Sequence, residues 1–470
     1  MNIAFGTDGW RAVVARDFTY ENLNRVTQAT ARWIADEQIT RNGVVIGHDA
    51  RFEGRAFTEY AASVFAAMDI PVRFAASIAP TPAVSWAAQE YDAVGVVITA
   101  SHNPPAYNGF KIKAPFGGPA TPEQIAAVEQ RLASFDPDLD PGAYRSWEEK
   151  GLIEEIPLTK QYLQLLEEVL DLDAIRESDI RLAHDPMYGS GQGLLTELLG
   201  KDQVEEIHGS FNPSFGGTPP EPIEKNLTEL ARLIPERGCD TGLANDGDAD
   251  RIGMFDEKGN FVSSHKLLSL LVKYLHTEKG MDGSIVKTFS TTDMLDKQAE
   301  RYGLPLDVTP IGFKYIAEKM VEGNVLVGGE ESGGLAVKGH IPERDGLFIG
   351  LTIVEMMVRS GKNLSRLVEE LFEEFGPHHF DRNDLHTSDE RKKAMIRHCE
   401  EKKLTELAGK KVGEWQFTDG IKHIMEDRSW LLVRPSGTEP VLRIYAEASS
   451  LEEARNMVSE ATNIVKSLQV

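Results

Sequence analysis

Short, uninterrupted runs of aliphatic and β-branched residues recur along the chain. Each stops at a loop rich in Gly, Asp or Ser, and a stretch with helical spacing follows. VVIGHDAR (44–51), GVVITASHNP (95–104), IRLAHDPMYGSG (180–191), GLANDGDADR (242–251), SIVKTFSTTDM (284–294) and NVLVGGEESGG (324–334) share this plan. Runs without polar alternation predict strands buried on both faces, and their alternation with helices predicts α/β layers. Ligands in such sheets gather beyond the carboxyl ends of the strands, which is where these polar loops fall. LLVRPSGTEPVLRIYAEA (431–448) departs from the plan: it predicts a hairpin-like strand pair, and a charged helix from Glu452 to Leu468 follows. That tail is expected to be α+β.

Polar, Pro-rich or acidic stretches interrupt the pattern at 134–151, near 255–264 and near 372–384. They predict α/β domains over 1–150, 151–256 and 257–374, and a smaller α+β domain over 375–470. A chain of 470 residues is long enough for several cores. The formal net charge of -24, from 50 Lys plus Arg against 74 Asp plus Glu, works against nucleic-acid or anionic membrane partners. An anionic substrate would then need a local basic island. Two distant cysteines, Cys239 and Cys399, suggest a reducing compartment without a disulfide framework. MNIAFGTDGWRAVV shows no basic segment leading into an apolar core, so no signal peptide is expected. The longest apolar stretch, GLFIGLTIV, stops at Glu355, short of a membrane span. A cytoplasmic protein is expected.

Four loops offer chemistry. In DGDADR, Asp246, Asp248 and Asp250 recur at every second residue between two strand-like segments. Carboxylates crowded in this way repel one another unless a cation neutralises them, and an all-oxygen set favours Mg²⁺ or Ca²⁺. Glu257 falls at the twelfth position of a calcium loop, but Arg251 stands where that loop needs Gly. Three ligands also leave room for a phosphate oxygen on the ion; the plainer alternative is a solvated acidic turn. In RPSGTEP (434–440), Arg434 offers a fork for phosphate, Ser436 and Thr438 offer hydroxyls, and Gly437 lets the amides turn inward; a hairpin turn is the alternative. In GGEESGG (328–334), Glu330 and Ser332 stand two apart and would face one way on an extended segment, suiting adjacent sugar hydroxyls; otherwise this is a flexible surface loop. TASHNPPAYNGFKIK (99–113) holds Ser101 beside His102. No G-x-S-x-G elbow surrounds that serine, and Asn108-Gly109 predicts a turn returning Lys111 toward it. Taken alone, Ser101 is a turn or cap residue.

Together, a hard-metal triad, a phosphate nest, a hydroxyl reader and an exposed serine suit phosphoryl transfer, which depends on positioning and charge neutralisation. No G-x-x-x-x-G-K-[ST] loop is present, so the phosphoryl group is expected to be stored on Ser101 itself. FGTDGWR (5–11), TASHNP, DGDADR, GEESGG and RPSGTEP, in this order, resemble the signatures of the α-D-phosphohexomutase superfamily, and the resemblance runs over nearly the whole chain. It implies three related α/β domains with mixed sheets and a fourth α+β domain around a central cleft.

Residue by residue, the resemblance implies that Ser101 is the phosphorylated serine and that Asp246, Asp248 and Asp250 hold one Mg²⁺ in contact with it. Lys111 and His102 become general acid/base candidates, and Arg11 and Arg251 would neutralise phosphate charge. Glu330, Ser332 and Lys314 would bind the sugar; Arg434, Ser436, Gly437 and Thr438 would bind the phosphate not being transferred. The implied partners are hexose phosphates, with a hexose 1,6-bisphosphate as intermediate and activator, acting on a monomer or homodimer. Many mannose- and glucosamine-type members end the sugar loop in Gly-His, whereas this chain has Gly333-Gly334. That difference points to phosphoglucomutase, with phosphomannomutase or dual activity next and phosphoglucosamine mutase after. A serine hydrolase using Ser101 and His102 and a non-catalytic sugar-phosphate binding protein are the rival classes.

Overall fold

A computed structural model describes residues 3–6, 8–436 and 441–468. The chain divides into two compact units, Met1–Gly283 with Gly312–Leu367, and Ser284–Ile311 with Val368–Val470.

The first unit contains two mixed sheets. One runs in the order Trp10–Val13, Tyr107–Ala114, Val94–Ile98, Val44–His48, Val72–Ala75 and Ile153–Ile156, with the short strand Gly118–Pro119 beside Tyr107–Ala114. Its last four strands pair in parallel, and Trp10–Val13 and Tyr107–Ala114 join antiparallel. Every residue of Val44–His48 and Val94–Ile98 is buried, as their unbroken apolar runs predict. Helices Tyr20–Asp36 and Gly54–Ala67 cover this sheet and share its core through Trp33, Phe57 and Phe65. Burying one such phenylalanine contributes about 1.5–3 kcal/mol.

Strand Tyr107–Ala114 does two jobs. Alternation sends Phe110 and Ile112 into the core, while Lys111 and Lys113, on the opposite face, are also fully buried. The expected Asn108-Gly109 turn is absent, because both residues lie inside this strand. Chain reversal happens earlier, over 101–106. Gly109 serves close packing instead, since a Cβ there would stand 2.4 Å from the carbonyl oxygen of Thr99 and 2.6 Å from that of Trp10.

The second sheet runs Phe261–Val262, Ile252–Phe255, Thr241–Asn245, Leu182–Asp185, Val204–Glu206. The apolar stretch at 346–354 forms helix Gly346–Ser360, buried along most of its length and capped by Asp345, which accepts from the amide of Phe348. Gly350 lets it lie directly on Leu243 of the second sheet. Among the described residues no helix is long and apolar enough to cross a membrane.

The third α/β domain supplies the antiparallel pair Val325–Gly329 and Leu335–Val337 to the first unit and the parallel pair Ser284–Thr288 and Leu306–Thr309 to the second. The C-terminal domain is a six-stranded antiparallel sheet in the order His379–His386, Val441–Ala448, Trp430–Pro435, Ile421–Met425, Lys410–Gln416, Glu406–Leu407, with helices Asp389–Glu400 and Leu451–Ser467. Three α/β domains and a C-terminal α+β domain are thus present, as the pattern of runs predicts, with the mixed sheets that the family resemblance implies.

Candidate functional site

Ser101 follows strand Val94–Ile98 and Asp246 follows strand Thr241–Asn245, so both sit at strand carboxyl ends. Their side chains meet: Ser101 Oγ donates to Asp246 Oδ2 at 2.6 Å. The two loops also pack backbone to backbone, because Gly247 has no side chain to strike the Ser101 carbonyl, which would stand 2.5 Å from a Cβ. His102 Nδ1 lies farther off, 3.4 Å from Ser101 Oγ. Asp246, rather than the imidazole, accepts the hydroxyl proton, which is not the arrangement of a hydrolase nucleophile and its base.

Asp246, Asp248 and Asp250 are fully buried, and one oxygen from each lies within 4.8 Å of the others. Lys111 reaches into this loop from strand Tyr107–Ala114 of the first sheet, donating to Asp248 Oδ2 at 2.7 Å and Asp250 Oδ2 at 2.9 Å, and it pairs with Asp8 at 2.8 Å. Thr81, at the start of helix Thr81–Glu90, gives Asp248 both its hydroxyl at 2.5 Å and its amide, to the carbonyl, at 2.9 Å. Asp248 thus sits at a helix N-terminus, where the aligned peptide dipoles favour an anion.

Arg344 pairs with Asp8 and, at 2.8 Å, with Asp250, while Lys113 pairs with Asp8 and with Glu343 at 2.7 Å. Among the described residues, Asp8, Asp248, Asp250 and Glu343 share these three cations within ion-pair distance, and Asp246 pairs with none of them. Among the described residues, the buried oxygens Asp248 Oδ1 and Asp250 Oδ1 have no hydrogen-bond partner. Bare buried carboxylate oxygens in a crowded triad of acids fit a divalent, oxygen-seeking ion.

The proton affinities reflect the same crowding. Burial raises the Asp246 carboxyl well above the usual range, and repulsion from Asp248 and Asp250 adds to this. Burial would also raise Asp248, but Lys111, the Thr81 hydroxyl and Arg344 together outweigh it and hold that group low. Burial alone would depress the Lys111 ammonium; Asp248, Asp250 and Asp8 overcome it and keep the group charged. Desolvation, with Arg251, Arg11, Lys111 and Arg51 adding to it, pushes His102 well below its usual value and leaves it neutral. Arg11 donates to Asn103 Oδ1 at 2.8 Å, and the Arg251 amide donates to Asp246 Oδ1 at 3.1 Å.

Glu330 and Ser332 do not lie on an extended segment, which corrects that expectation. They occupy the tight turn after strand Val325–Gly329, closed by the bond from the Glu330 amide to the Gly334 carbonyl. The Ile252 amide donates to the Gly333 carbonyl at 3.1 Å, tying this turn to the strand that leaves the aspartate loop. Glu330 is buried and Ser332 half-buried. Burial pushes the Glu330 carboxyl up to about 7 in spite of Arg344. Lys314, on helix Phe313–Glu322, lines a cavity of about 190 Å³ with Asp8, Phe5, Ile112 and Glu129. In the second unit Arg434 donates to Asp419 Oδ1 at 2.8 Å, and the Ser436 amide donates to the Val441 carbonyl. Gly437 and Thr438 lie outside the described residues.

Asp8, Thr81, Lys113, Glu343 and Arg344 complete the cluster without having been singled out from the sequence. The strand FKIKA carries a signal for Lys113: two lysines on one face of an apolar strand need buried acids. Thr81 has no such local mark, because its partner is 167 residues away.

Family models described as phosphoglucomutase/phosphomannomutase alpha/beta/alpha domains I, II and III match residues 2–137, 160–259 and 263–375, and that of the C-terminal domain matches 392–464. A phosphoglucomutase/phosphomannomutase of Thermococcus kodakarensis is 34% identical over 460 residues, covering 97% of this chain and 96% of that protein. A Pyrococcus abyssi protein with the provisional name phosphoglucosamine mutase is 31% identical, covering 98% and 97%. A crystal structure from Thermus thermophilus, provisionally named a phosphomannomutase, superposes with a TM-score of 0.86 at 34% identity, covering 99% of both chains. With matches over all four domains, the chain belongs to the phosphoglucomutase/phosphomannomutase family of α-D-phosphohexomutases.

Proposed function

We propose that this protein interconverts hexose 1-phosphates and hexose 6-phosphates, glucose 1-phosphate and glucose 6-phosphate first among them, with Ser101 carrying the phosphoryl group. The observation behind this reading is the contact of Ser101 Oγ with Asp246, inside a buried acid loop whose Asp248 and Asp250 each keep a bare oxygen. Asp246, Asp248 and Asp250 would hold one Mg²⁺, which when bound supplies positive charge to the phosphoryl oxygens. In the first step the phosphoryl group leaves Ser101 Oγ for a hydroxyl of the hexose monophosphate, giving a hexose 1,6-bisphosphate. The P–O(Ser) bond breaks as the P–O(sugar) bond forms. Neutral His102, with Nδ1 3.4 Å from Ser101 Oγ, would pass the proton of the sugar hydroxyl on to the freed Ser101 oxygen, while Lys111, held by Asp8, Asp248 and Asp250, contributes positive charge beside it. After the bisphosphate turns around, the reverse transfer returns its other phosphate to Ser101. Arg11 and Arg251 would meet phosphate charge near Ser101. Arg434, Ser436, Gly437 and Thr438 would grip the distal phosphate, and Lys314, Glu330 and Ser332 the sugar.

A mannose reading stands beside the glucose one, since the names of the Thermococcus and Thermus relatives include phosphomannomutase. The test has two parts on one preparation. Phosphate transferred from glucose 1,6-bisphosphate is mapped by peptide mass spectrometry, and kcat/KM is compared for glucose, mannose and glucosamine 1-phosphates. Phosphate on the Ser101 peptide with glucose 1-phosphate preferred supports the proposal. No covalent phosphate, or phosphate on another residue, defeats the mechanism; mannose 1-phosphate preferred moves the substrate alone.

Glu330 supplies a pH test. With its carboxyl up at about 7, it is largely protonated at pH 6 and largely ionised at pH 8. The ionised form accepts on both oxygens, whereas protonation turns one of them into a donor and weakens the other as an acceptor for sugar hydroxyls. kcat/KM is therefore expected to rise on going from acid through neutrality, with a limb near or just below pH 7 because a bound cation favours the carboxylate. Glu330→Gln should lower kcat/KM about 10- to 100-fold and flatten this limb. A pH profile of the variant that keeps the wild-type limb would assign it to another group.

A further inference from the structure

Every N–H of the Arg51 guanidinium is used. Nε donates to Asp49 Oδ2 at 3.1 Å, and Nη1 to the carbonyls of Pro104 at 3.0 Å and Tyr107 at 2.9 Å. Nη2 donates to the carbonyls of Ser101 at 2.5 Å and Asn103 at 2.7 Å. The side chain is fully buried, and its flat face lies 4.9 Å from the centre of the Phe215 ring. With no donor left and no exposure, Arg51 has nothing to offer a substrate phosphate. Three of its five bonds instead go to carbonyls of the loop that reverses the chain after Ser101, and a fourth goes to Tyr107, the first residue of the strand that follows.

The other side of the Ser101 peptide is held from the same turn. Asp49 Oδ2 accepts the Thr99 hydroxyl at 2.5 Å, and Thr99 Oγ1 in turn accepts the Ser101 amide at 2.8 Å. Asp49 Oδ1 accepts the Arg51 amide at 3.0 Å, which closes the turn between strand Val44–His48 and helix Gly54–Ala67. Ser101 therefore has its N–H held through Thr99 and Asp49 and its C=O held by Arg51. Its φ is +51°, a left-handed conformation that a serine adopts only when its surroundings impose it. Relaxing toward negative φ would swing Oγ away from Asp246 and the aspartate loop.

We infer that Arg51, acting with Asp49 and Thr99, is a positioning residue for phosphoryl transfer: its guanidinium clamps the Ser101 loop in the strained conformation that aims Oγ at the aspartate loop. The inference rests on the reading of Ser101 as phosphoryl carrier. A guanidinium is required because a lysine has three donors on one atom and cannot reach four carbonyls lying on two sides of the group. The clamp bears on kcat rather than on substrate affinity, because in-line transfer fails steeply with small misplacement while sugar contacts elsewhere are untouched.

The test uses the full chain as wild type, Arg51→Lys and Thr99→Val, with Mg²⁺ and glucose 1,6-bisphosphate. Melting temperature, phosphate occupancy of Ser101 by intact mass, kcat and KM are measured for each. Arg51→Lys is expected to keep KM within about threefold and to lose kcat about 100-fold or more, beyond any loss of folded protein. Thr99→Val, which leaves the guanidinium in place while untying the Ser101 amide and removing the hydroxyl from Asp49, is expected to lose kcat about 10-fold at constant KM. Either folded variant keeping kcat within twofold, or raising KM in step with the loss, overturns the clamp. Should Arg51→Lys fail to fold, Thr99→Val decides by the same criteria. A wild-type protein that takes no phosphate at Ser101 removes the parent reading and this inference with it, an outcome distinct from a phosphorylated wild type with indifferent variants.

Discussion

Ser101→Ala is expected to lower kcat for hexose phosphate interconversion by about 10⁴-fold or more, since the covalent route disappears with the hydroxyl. No neighbouring group can take over, because Thr99 Oγ1 is committed to Asp49 and to the Ser101 amide. The fold should barely notice. The lost bond is one hydrogen bond to Asp246, a carboxyl that burial and its acidic neighbours already push toward its neutral form. Its removal should cost about 1 kcal/mol. Steady-state kinetics, thermal melting and intact mass on the same samples check this. Wild-type turnover in the alanine variant would falsify the covalent mechanism, whereas a melt lowered by many degrees would turn the activity loss into a folding effect.

Asp248→Asn is expected to have the second largest effect, and on two separable quantities. Asp248 Oδ2 takes both the Lys111 ammonium and the Thr81 hydroxyl, while Oδ1 stays bare. An amide placed there must either turn its NH₂ toward Lys111, donor against donor, or present it where an ion would sit. The first choice leaves Lys111 with Asp8 and Asp250 alone; breaking part of a buried ion network of this kind costs about 3 kcal/mol. The second removes an anionic ligand, and turnover at fixed Mg²⁺ should fall about 10³-fold. Stability separates the metal effect from the folding effect. A ligand at 100 times its Kd adds about 2.7 kcal/mol to the native state. Wild type should therefore melt higher as Mg²⁺ is added and lose that gain with a chelator, and Asp248→Asn should show a much smaller gain. Equal Mg²⁺ responses in both proteins would move the ion elsewhere.

Acid titration of the metal-free protein should follow the same logic. The depressed Asp248 carboxyl stays ionised in the folded state at pH values where it would be protonated in the unfolded chain. Its contribution is thus fully present above the unfolded pKa of about 4 and is lost as the pH falls below that.

Much of this molecule is legible in its primary structure because the physics involved is local. Unbroken Val/Ile runs that end in Gly, Asp or Ser determine buried strands with polar carboxyl ends, whatever the rest of the chain does. Alternating acids between two strands create repulsion that needs a cation, and Asp246, Asp248 and Asp250 meet as that argument requires. Where the local argument rested on a turn signal, it failed. Asn108-Gly109 has the composition of a hairpin, yet the strand runs through it because neighbouring carbonyls leave space only for a glycine. Glu330 and Ser332 were misplaced for a related reason: a loop pinned to Ile252 follows its tether rather than the geometry of the strand before it.

By itself, then, the sequence determined the layered α/β domains and the chemistry of the acid loop, both consequences of contacts between near neighbours along the chain. Only the tertiary structure decided which cations stand opposite those acids and what holds Ser101 in its left-handed conformation. Lys111 lies 137 residues from Asp248, Arg344 comes from a third segment, and Arg51 lies 50 residues before the loop it clamps. Partners so far apart leave no periodic trace, since a buried charge is satisfied by whichever opposite group the fold brings within reach.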